Sequence, residues 1–318
     1  MERWPVAGQF VIARGAKTYV DVLVVAVGDG THVGQGEGTA IYYEGETAER
    51  CLGQVMAVAL QLERLECDAA RLTVQALLPR GAARNALDCA LWDLAACQTG
   101  RTLWALAGLT AAPKPLLTAF TISLGAGAQM ELDAAHAAAK GYGLLKLKLT
   151  GEGDRERVAA VRRGATNARL IVDANESWDG LDVAEEAAAL AAMGVEMIEQ
   201  PVKAGNDGAL AGVLSPLPLI ADESCHTAGD VAMCAKYYDG INIKLDKAGG
   251  LTEALKLAEA AEAAGLKIMA GCMLSTSLGI APAFLIAQRA HWVDLDGSAL
   301  LAQDRDGGFR FAGGMILR

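Results

Sequence analysis

Two lysines, Lys146 and Lys148, lie two positions apart in the apolar run LLKLKLT, residues 144–150. The run is typical of a buried strand, and side chains alternate along a strand, so both ammonium groups should point to the same side. Two neighbouring cations in an apolar segment are costly when they are buried without partners. We therefore expect the pair to have a chemical role, with plain charge at the rim of the protein as the alternative.

Three successive β-like runs each end with a carboxylate residue. Asp173 ends LIVD, Glu199 ends EMIE and Asp222 ends LIAD. Neighbouring strands are about 4.8 Å apart, so the three groups should converge and repel one another unless a cation lies between them. Oxygen ligands favour a hard cation, and Mg²⁺ fits best. Taken singly, each acid could instead be a loop residue or a helix N-cap.

A third lysine and a second pair of acids lie on strands later in the chain. Lys244 follows the triad, opposite Lys146 and Lys148 on the strand that precedes it. Lysine ordinarily has a pKa of about 10.4, which a metal ion and a second ammonium group would lower towards that of a useful base. Asp294 and Asp296 in VDLDGS should face the same way and suit a cationic substrate group, or else belong to a turn at Gly297.

The elements that must position these residues repeat along the chain. Eight β-like runs alternate with alanine-rich helical stretches, and residues near their ends recur every 22 to 27 positions: Thr121, Lys148, Asp173, Glu199, Asp222, Lys244, Gly271 and Asp294. Each step accommodates one strand and one helix. The pattern predicts a closed (β/α) barrel with its active site at the carboxyl ends of the strands.

The first hundred residues follow a different pattern. Three strands with glycine-containing turns precede helices predicted at residues 47–66 and 82–99. We predict an α/β protein, a (β/α)7β TIM-like barrel over residues 113–296 with an N-terminal α+β capping domain over residues 1–112. Residues 297–318 should pack back on one of the two domains, and the sequence does not say which.

Composition excludes several classes of protein. The chain has 318 residues and a net charge of −10, which argues against a nucleic-acid partner. Seven cysteines without a CxxC motif suggest neither a disulfide scaffold nor a structural zinc site. The N-terminus does not resemble a signal peptide, and no apolar run reaches membrane-spanning length. We expect a cytoplasmic protein with no membrane partner; a homo-oligomer stays open.

Taken together, these motifs resemble the enolase superfamily and, within it, the muconate-lactonizing-enzyme subgroup. The resemblance covers essentially the whole chain through GAARNALDCALWDLAA, KLK, VDANESW, EQP, ADESCHT, NIKLDKAGGLTEAL and GCMLSTS. The DLDG run is similar to the dipeptide epimerases of the L-Ala-D/L-Glu group, in which an Asp-x-Asp pair holds the dipeptide's α-ammonium. Superfamily sites use a Lys or His base with Mg²⁺.

The resemblance implies a role for each matching residue. Asp173, Glu199 and Asp222 would bind Mg²⁺, Lys148 and Lys244 would be the two acid/base catalysts, and Lys146 would tune Lys148. The predicted substrate-binding residues are Asp294, Asp296, Thr121, Cys272, Met273, Lys17 and Arg14. Lys17 falls where the group typically has an arginine for the glutamate side chain, and Arg14 is the second candidate. Asn175 and Glu223 are predicted to support the metal ligands.

The expected function is a Mg²⁺-dependent dipeptide epimerase, with a small dipeptide as substrate and a place in murein-peptide recycling. N-succinylamino-acid racemase, o-succinylbenzoate synthase and muconate cycloisomerase share the barrel, the metal and the lysines. The Asp pair argues against them, because their substrates present no free ammonium there. Two further readings are a Schiff-base aldolase and a non-catalytic ligand-binding barrel.

Overall fold

The computed structural model of the protein describes residues 1–12 and 15–318. The N-terminal part is an antiparallel sheet of three strands in the order β1-β2-β3, covered by helices. Its elements are β1 (Glu2–Ile12), β2 (Gly15–Gly28), β3 (Val33–Thr39), α1 (Ala48–Leu62), α2 (Cys67–Leu77), α3 (Ala82–Thr99) and α4 (Leu103–Leu106). A short strand outside this sheet, β4 (Leu116–Leu117), leads into the second part of the molecule. A 3₁₀ helix, Tyr42–Glu44, connects β3 to α1. Helix α2 was not predicted.

Helix α3 lies directly on the backbone of β3. A Cβ added at Gly36 would come within 2.1 Å of the carbonyl oxygen of Ala86, and one added at Gly34 would come equally close to Leu94 N. The side-chain period of a strand is two, so glycine at every second position gives β3 one bare face. This close approach fixes the N-terminal sheet against α3.

Eight parallel strands form the second part of the molecule, in chain order around one sheet. They are β5 (Phe120–Ile122), β6 (Leu144–Lys148), β7 (Arg169–Asp173), β8 (Val195–Glu199), β9 (Leu219–Ala221), β10 (Gly240–Ile243), β11 (Lys267–Gly271) and β12 (Trp292–Asp294). The N–H of Ala119, just before β5, donates to Val293 O on β12 at 2.8 Å and closes the ring. The predicted α/β barrel fold is confirmed.

Helices connect most of these strands. They are α5 (Gly127–Ala139), α6 (Asp154–Gly164), α7 (Val183–Ala192), α8 (Val231–Cys234), α9 (Leu245–Ala248), α10 (Leu251–Ala263) and α11 (Ser277–Ala287). Between β8 and β9 the helical layer is reduced to a 3₁₀ turn, Asp207–Leu210, because glycines and prolines interrupt that segment. No helix in the described part of the chain is long and apolar enough to cross a bilayer.

The C-terminal residues contact both parts of the molecule. The hairpin of β13 (Arg310–Ala312) and β14 (Met315–Leu317) extends β4, with Ile316 paired to Leu116. Upstream of the hairpin, Leu301 forms an isolated bridge with Val6 of β1. The exact domain boundaries at residues 112 and 296 stay predictions.

The barrel interior has an apolar layer below a polar one. The apolar layer is a cluster of buried side chains: Ala119, Leu144, Ile171, Met197, Ile220, Met269 and Trp292. On several of these strands, the residue two positions later also points inward and is charged. Asp173 follows Ile171 in this way, and Glu199 follows Met197. The intervening residues, such as Val172 and Ile198, pack outward against the helices. This alternation places the charges at the carboxyl end.

A buried carboxylate joins the N-terminal part to the barrel. Asp246, at the start of α9, accepts hydrogen bonds from Thr39 N (2.9 Å) and Asn85 Nδ2 (2.8 Å). Beside it, Arg84 donates to the carbonyl oxygens of Ala248 (2.6 Å) and Gly249 (3.1 Å) at the end of α9. Burial raises the pKa of Asp246 from 3.8 to about 7, although these two hydrogen bonds oppose the rise.

The Asp246 carboxyl should make stability depend on pH. The folded protein binds a proton that the unfolded chain has released between about pH 4 and 7, so stability falls as pH rises through this window. Asp246→Asn should flatten the fall, which is on the order of a few kcal/mol, because an amide oxygen still accepts both bonds. Thermal unfolding between pH 4 and 8 measures it, with the exposed Asp306→Asn as control. Parallel curves for wild type and Asp246→Asn would refute this assignment.

Candidate active site

A pocket opens at the carboxyl end of the barrel, between the strand ends and the N-terminal sheet. Most of the predicted site residues line it: Lys17, Thr121, Lys146, Lys148, Asn175, Asp222, Glu223, Lys244, Cys272, Met273, Asp294 and Asp296. Asp173 and Glu199 lie beneath the pocket and are fully buried. Arg14, the second candidate for the substrate side chain, lies outside the described residues. One pocket therefore gathers residues from sequence positions 17 to 296.

The three carboxylates predicted to bind metal converge. Asp173, Glu199 and Asp222 each offer an oxygen, and these oxygens lie within 4.8 Å of one another. Asp173 and Glu199 are the last residues of β7 and β8, and Asp222 directly follows β9. Backbone and side-chain donors orient them: Asn175 N donates to Asp173 Oδ1 at 2.9 Å, and Asn242 Nδ2 donates to Glu199 Oε1 at 2.7 Å.

Lysines surround the triad. Lys146 Nζ lies 2.6 Å from Glu199 Oε2 and 3.4 Å from Asp173 Oδ2. Lys148 Nζ donates to the same Asp173 oxygen at 2.7 Å, so the two lysines do face the same side. Lys244 Nζ donates to Asp222 Oδ2 at 2.6 Å.

Lys148 and Lys244 lie across the ring from each other. Lys148 ends the second barrel strand, β6, and Lys244 directly follows the sixth, β10. Positions four strands apart in a ring of eight are opposite, and the three triad carboxylates belong to the strands between them. Both lysines line the pocket. A small molecule bound there can meet one lysine on each face.

The triad carboxyls differ in proton affinity. Burial would raise the pKa of Asp173, but Lys148 and Lys146 outweigh it and lower the pKa to about 2. Lys244 and Lys247 likewise hold the pKa of Asp222 well below its ordinary value against the effect of burial. For Glu199, burial and the neighbouring Asp173 raise the pKa to about 7. The lysines therefore dominate at Asp173 and Asp222, whereas burial dominates at Glu199.

The pKa values of Lys146 and Lys244 are raised, whereas the sequence led us to expect lowered lysine pKa values. Burial alone would lower the pKa of Lys146, but Asp294, Glu199 and Asp173 outweigh it and raise the pKa well above the ordinary value. The same holds for Lys244, through Asp222 and Glu199. A cation shared by the carboxylates would neutralise the groups that raise these values.

The acid pair on the last strand is buried and lines the pocket. Asp294 Oδ2 accepts from Lys146 Nζ at 2.7 Å, while its Oδ1 has no hydrogen-bond partner among the described residues. Asp296 Oδ2 accepts from Thr121 N at 2.7 Å. Burial and the nearby Asp294 raise the pKa of Asp296 to about 7. A cationic group from a ligand would find a buried, unfilled acceptor here.

The N-terminal part covers the pocket. Lys17 on β2 is half-buried, and its ammonium nitrogen lies 4.2 Å from the ring centre of Tyr42, within cation–π range. Burial lowers the pKa of Lys17. Tyr43 and Phe10 also line the pocket. Sequence reasoning missed Phe10, Tyr42 and Tyr43, because no local pattern relates these segments of the N-terminal part to the barrel.

Two other buried residues at the triad were missed. Asn242, which holds Glu199, lies two positions before Lys244 on β10, and strand alternation could have placed it inside the barrel. Lys247 Nζ lies 2.6 Å from Asp222 Oδ1 and donates to the carbonyl oxygens of Cys225 (2.9 Å) and Asn242 (3.1 Å). Its position in a short helix after the strand gave no signal of burial.

The residues present suit a hard metal ion. The donors are all carboxylate oxygens from three adjacent strands, which is the donor set of Mg²⁺ and related cations. We treat Asp173, Glu199 and Asp222 as the residues that would hold such an ion.

Comparison with known families matches both parts of the chain. Residues 1–108 match the family described as "Mandelate racemase / muconate lactonizing enzyme, N-terminal domain". Residues 129–317 match the family described as "Enolase C-terminal domain-like".

Individual relatives agree with these families. The L-Ala-D/L-Glu epimerase of Escherichia coli (strain K12) is 44% identical over 315 residues, which is 99% of this chain and 97% of that protein. An N-acetyl-D-glutamate racemase from Pseudoalteromonas sp is 44% identical over 75% of each chain. An enolase family member from Agrobacterium tumefaciens, described as homologous to dipeptide epimerases and solved with sodium and L-Ala-L-Glu, superposes with a TM-score of 0.93. It is 42% identical, over 99% of this chain and 95% of that one. Epimerases and racemases are isomerases, which confirms the predicted enzyme class.

From the convergence of Asp173, Glu199 and Asp222, we predict one binding site for a divalent cation. Glu199→Gln should weaken Mg²⁺ binding by about 10-fold or more, because it removes one of three anionic ligands. Calorimetric titration of metal-free protein measures the affinity. Glu196→Gln is the matched control, since Glu196 is on the same strand but pairs with Arg169 at the surface. Equal Mg²⁺ affinity in Glu199→Gln and Glu196→Gln would contradict the assignment.

Proposed function

The chain belongs to the mandelate racemase/muconate lactonizing enzyme family of the enolase superfamily, and from that premise we propose that it is a metal-dependent dipeptide epimerase acting on L-Ala-D/L-Glu. The observation that carries the proposal is the placement of Lys148 and Lys244 on opposite sides of one pocket. Inverting a stereocentre requires one proton to leave from one face and another to arrive at the opposite face. Two lysines, one on each side of the substrate α-carbon, can carry out these two proton transfers.

The charges of the pocket suit a dipeptide with an acidic C-terminal residue. Asp294 and Asp296 would bind the α-ammonium of the first residue, with Asp294 Oδ1 as an available acceptor. Lys17, at the covered side of the pocket, would pair with the side-chain carboxylate of the second residue. These contacts fix both ends of the substrate and leave its reacting α-carbon between the two lysines.

Two protonation states are needed for turnover. The lysine that removes the α-proton must be neutral when the substrate binds, and the opposite lysine must carry the proton that it delivers. As the C–H bond breaks, its electron pair moves into the adjacent carboxylate group to give an enolate. Lys146, which contacts Glu199, would supply a fixed positive charge near that carboxylate. A hard cation held by the triad would supply further electrostatic stabilisation of this negative charge.

Racemisation of an N-acylated glutamate is the second candidate. It is supported by the similarity to the N-acetyl-D-glutamate racemase. An acylated nitrogen is uncharged, however. It would leave the buried Asp294 Oδ1 without a partner and give Asp296 no positive charge beyond the contacts of the free protein, which is unfavourable. For this reason the buried acid pair favours a dipeptide with a free ammonium group.

Three further properties belong to the same proposal. We take Mg²⁺ as the working cation, on the basis of the oxygen donor set. All seven cysteines are free thiols, and the thiol of Cys97 is exposed, which suits a reducing cytoplasm. Murein-peptide recycling is the process that the resemblance suggests.

The function can be tested by proton NMR with L-Ala-L-Glu and purified protein. We expect L-Ala-D-Glu to appear with Mg²⁺ and to stop appearing when EDTA removes the metal. N-acetyl-L-glutamate, tested in parallel, should turn over at least about 10-fold more slowly because it lacks the ammonium group. Faster turnover of the N-acetyl compound would favour the racemase, and turnover of neither would contradict both.

Lys17 should set the preference for an acidic side chain. Lys17→Met should raise KM for L-Ala-L-Glu by about 10-fold or more while changing KM for L-Ala-L-Leu little, because only the first substrate loses a charged partner. Lys17→Arg keeps the charge and should retain the preference. Equal effects of Lys17→Met on the two substrates would exclude Lys17 from selectivity.

A further inference from the structure

Gln200 occupies an unusual backbone position at the base of the site. It follows Glu199 directly and has φ of +34°, in the left-handed region that residues other than glycine rarely adopt. Its N–H donates to Ile220 O at 2.8 Å, and its carbonyl oxygen accepts from Glu176 N at 2.9 Å. The backbone of this one residue therefore connects the ends of β7, β8 and β9. A conformation of this kind persists only where surrounding contacts enforce it.

The side chain of Gln200 is fully buried and uses both ends of its amide. Oε1 accepts from the backbone N–H groups of Asp222 (2.7 Å) and Ser224 (3.2 Å). Nε2 shares its two protons among three acceptors: Val202 O at 2.8 Å and the hydroxyl oxygens of Ser224 (2.8 Å) and Tyr238 (3.0 Å). Backbone N–H groups only donate and a backbone carbonyl only accepts, so these partners leave one orientation for the amide.

A buried carboxylate locks the donor end of this amide. Asp207 Oδ1 accepts from Ser224 Oγ at 2.5 Å and from Tyr238 OH at 2.6 Å. Both hydroxyls thereby direct their protons to Asp207 and present lone pairs to Gln200 Nε2. Both ends of the Gln200 amide thus have hydrogen-bond partners, and the amide cannot rotate without breaking several of these hydrogen bonds.

The acceptor end compensates for a short strand. β9 ends at Ala221, and its pairing with the neighbouring strands stops at Ile220 on one side and Ala221 on the other. Asp222 thus lies beyond the sheet ladder, unlike Asp173 and Glu199, which are paired members of their strands. Gln200 Oε1 gives the Asp222 N–H the acceptor that the ladder does not provide.

We infer that Gln200 is a positioning residue that sets the place of the Asp222 carboxylate relative to Glu199, and so tunes the metal affinity of the triad. The inference rests on the metal site of the proposed function and deepens it. Gln200 itself touches neither the metal ligand oxygens nor the pocket. It acts by fixing the backbone from which Asp222 projects, while its own backbone continues from Glu199.

The test compares metal affinity in two variants of the same buried network. Gln200→Met is nearly isosteric and removes the acceptor from Asp222 N. The dissociation constant for Mg²⁺, measured by calorimetry on the folded, metal-free protein, should rise about 10- to 100-fold. Tyr238→Phe is the matched control, because it removes a hydroxyl from the donor end and leaves the bonds from Oε1 in place. It should lower Tm while keeping the Mg²⁺ dissociation constant within about twofold of wild type.

A second variant, Gln200→Glu, tests the inference even if Gln200→Met does not fold. Beside Asp207 and the Val202 carbonyl, the introduced carboxyl should be protonated, so one oxygen still accepts from Asp222 N and Ser224 N while its O–H donates to Val202 O. Its Mg²⁺ dissociation constant should therefore not exceed that of wild type by more than about threefold. A 10-fold loss of affinity in Gln200→Glu would overturn the inference, and so would wild-type affinity in Gln200→Met. If wild-type protein binds no Mg²⁺, the proposed metal site fails together with the inference. If wild-type protein binds Mg²⁺ and Gln200→Met binds it equally tightly, the metal site stands and the inference alone fails.

Discussion

The ammonium group of Lys146 contacts carboxylates from three different strands, and the charge balance of the site depends on these contacts. Its nitrogen lies 2.6 Å from Glu199, 2.7 Å from Asp294 and 3.4 Å from Asp173. A buried lysine is tolerated only with such partners, and buried acids equally need a cation. Because Asp294 belongs to the last strand and Glu199 to the fourth, Lys146 couples the proposed metal ligands to the proposed ammonium site across the barrel. Its removal would leave acids on both sides uncompensated.

Apolar packing around the charged end of the barrel stabilises a protein with so many buried charges. An apolar layer that includes Ile171 and Met197 fills the barrel below the charges, and outward-facing residues such as Val172 pack against the helices. The sheet therefore has its hydrophobic core on both sides of the strands at one end and only on the outside at the other. The N-terminal part covers the polar end with Lys17 and Tyr42, which reduces the contact of the charged groups with water and strengthens the electrostatic interactions inside.

The sequence predicted those features that repeat or lie at strand ends. The regular spacing identified eight barrel strands, and strand alternation correctly turned Asp173 and Glu199 towards each other. Contacts between distant segments left no local pattern, which is why the aromatic cover of Tyr42 and the hydrogen bonds of Gln200 went unseen. Irregular elements were missed for a related reason. The 3₁₀ turn at Asp207–Leu210 replaces a helix that the repeat led us to expect. The C-terminal hairpin depends on pairing with the distant β4, and its short strands carry no sequence pattern that predicts this pairing.

Exchange of the substrate α-proton in D₂O tests the two-lysine arrangement most directly. Wild type, Lys148→Ala and Lys244→Ala would each be mixed with L-Ala-L-Glu and, separately, with L-Ala-D-Glu, and the glutamate α-proton followed by NMR. The account predicts that both variants lose epimerisation by about 10²-fold or more while they still bind Mg²⁺. Each should still exchange the α-proton of one diastereomer, and the two variants should differ in which one. Epimerisation at the wild-type rate in either variant, or exchange of the same diastereomer by both, would contradict the opposed roles of Lys148 and Lys244.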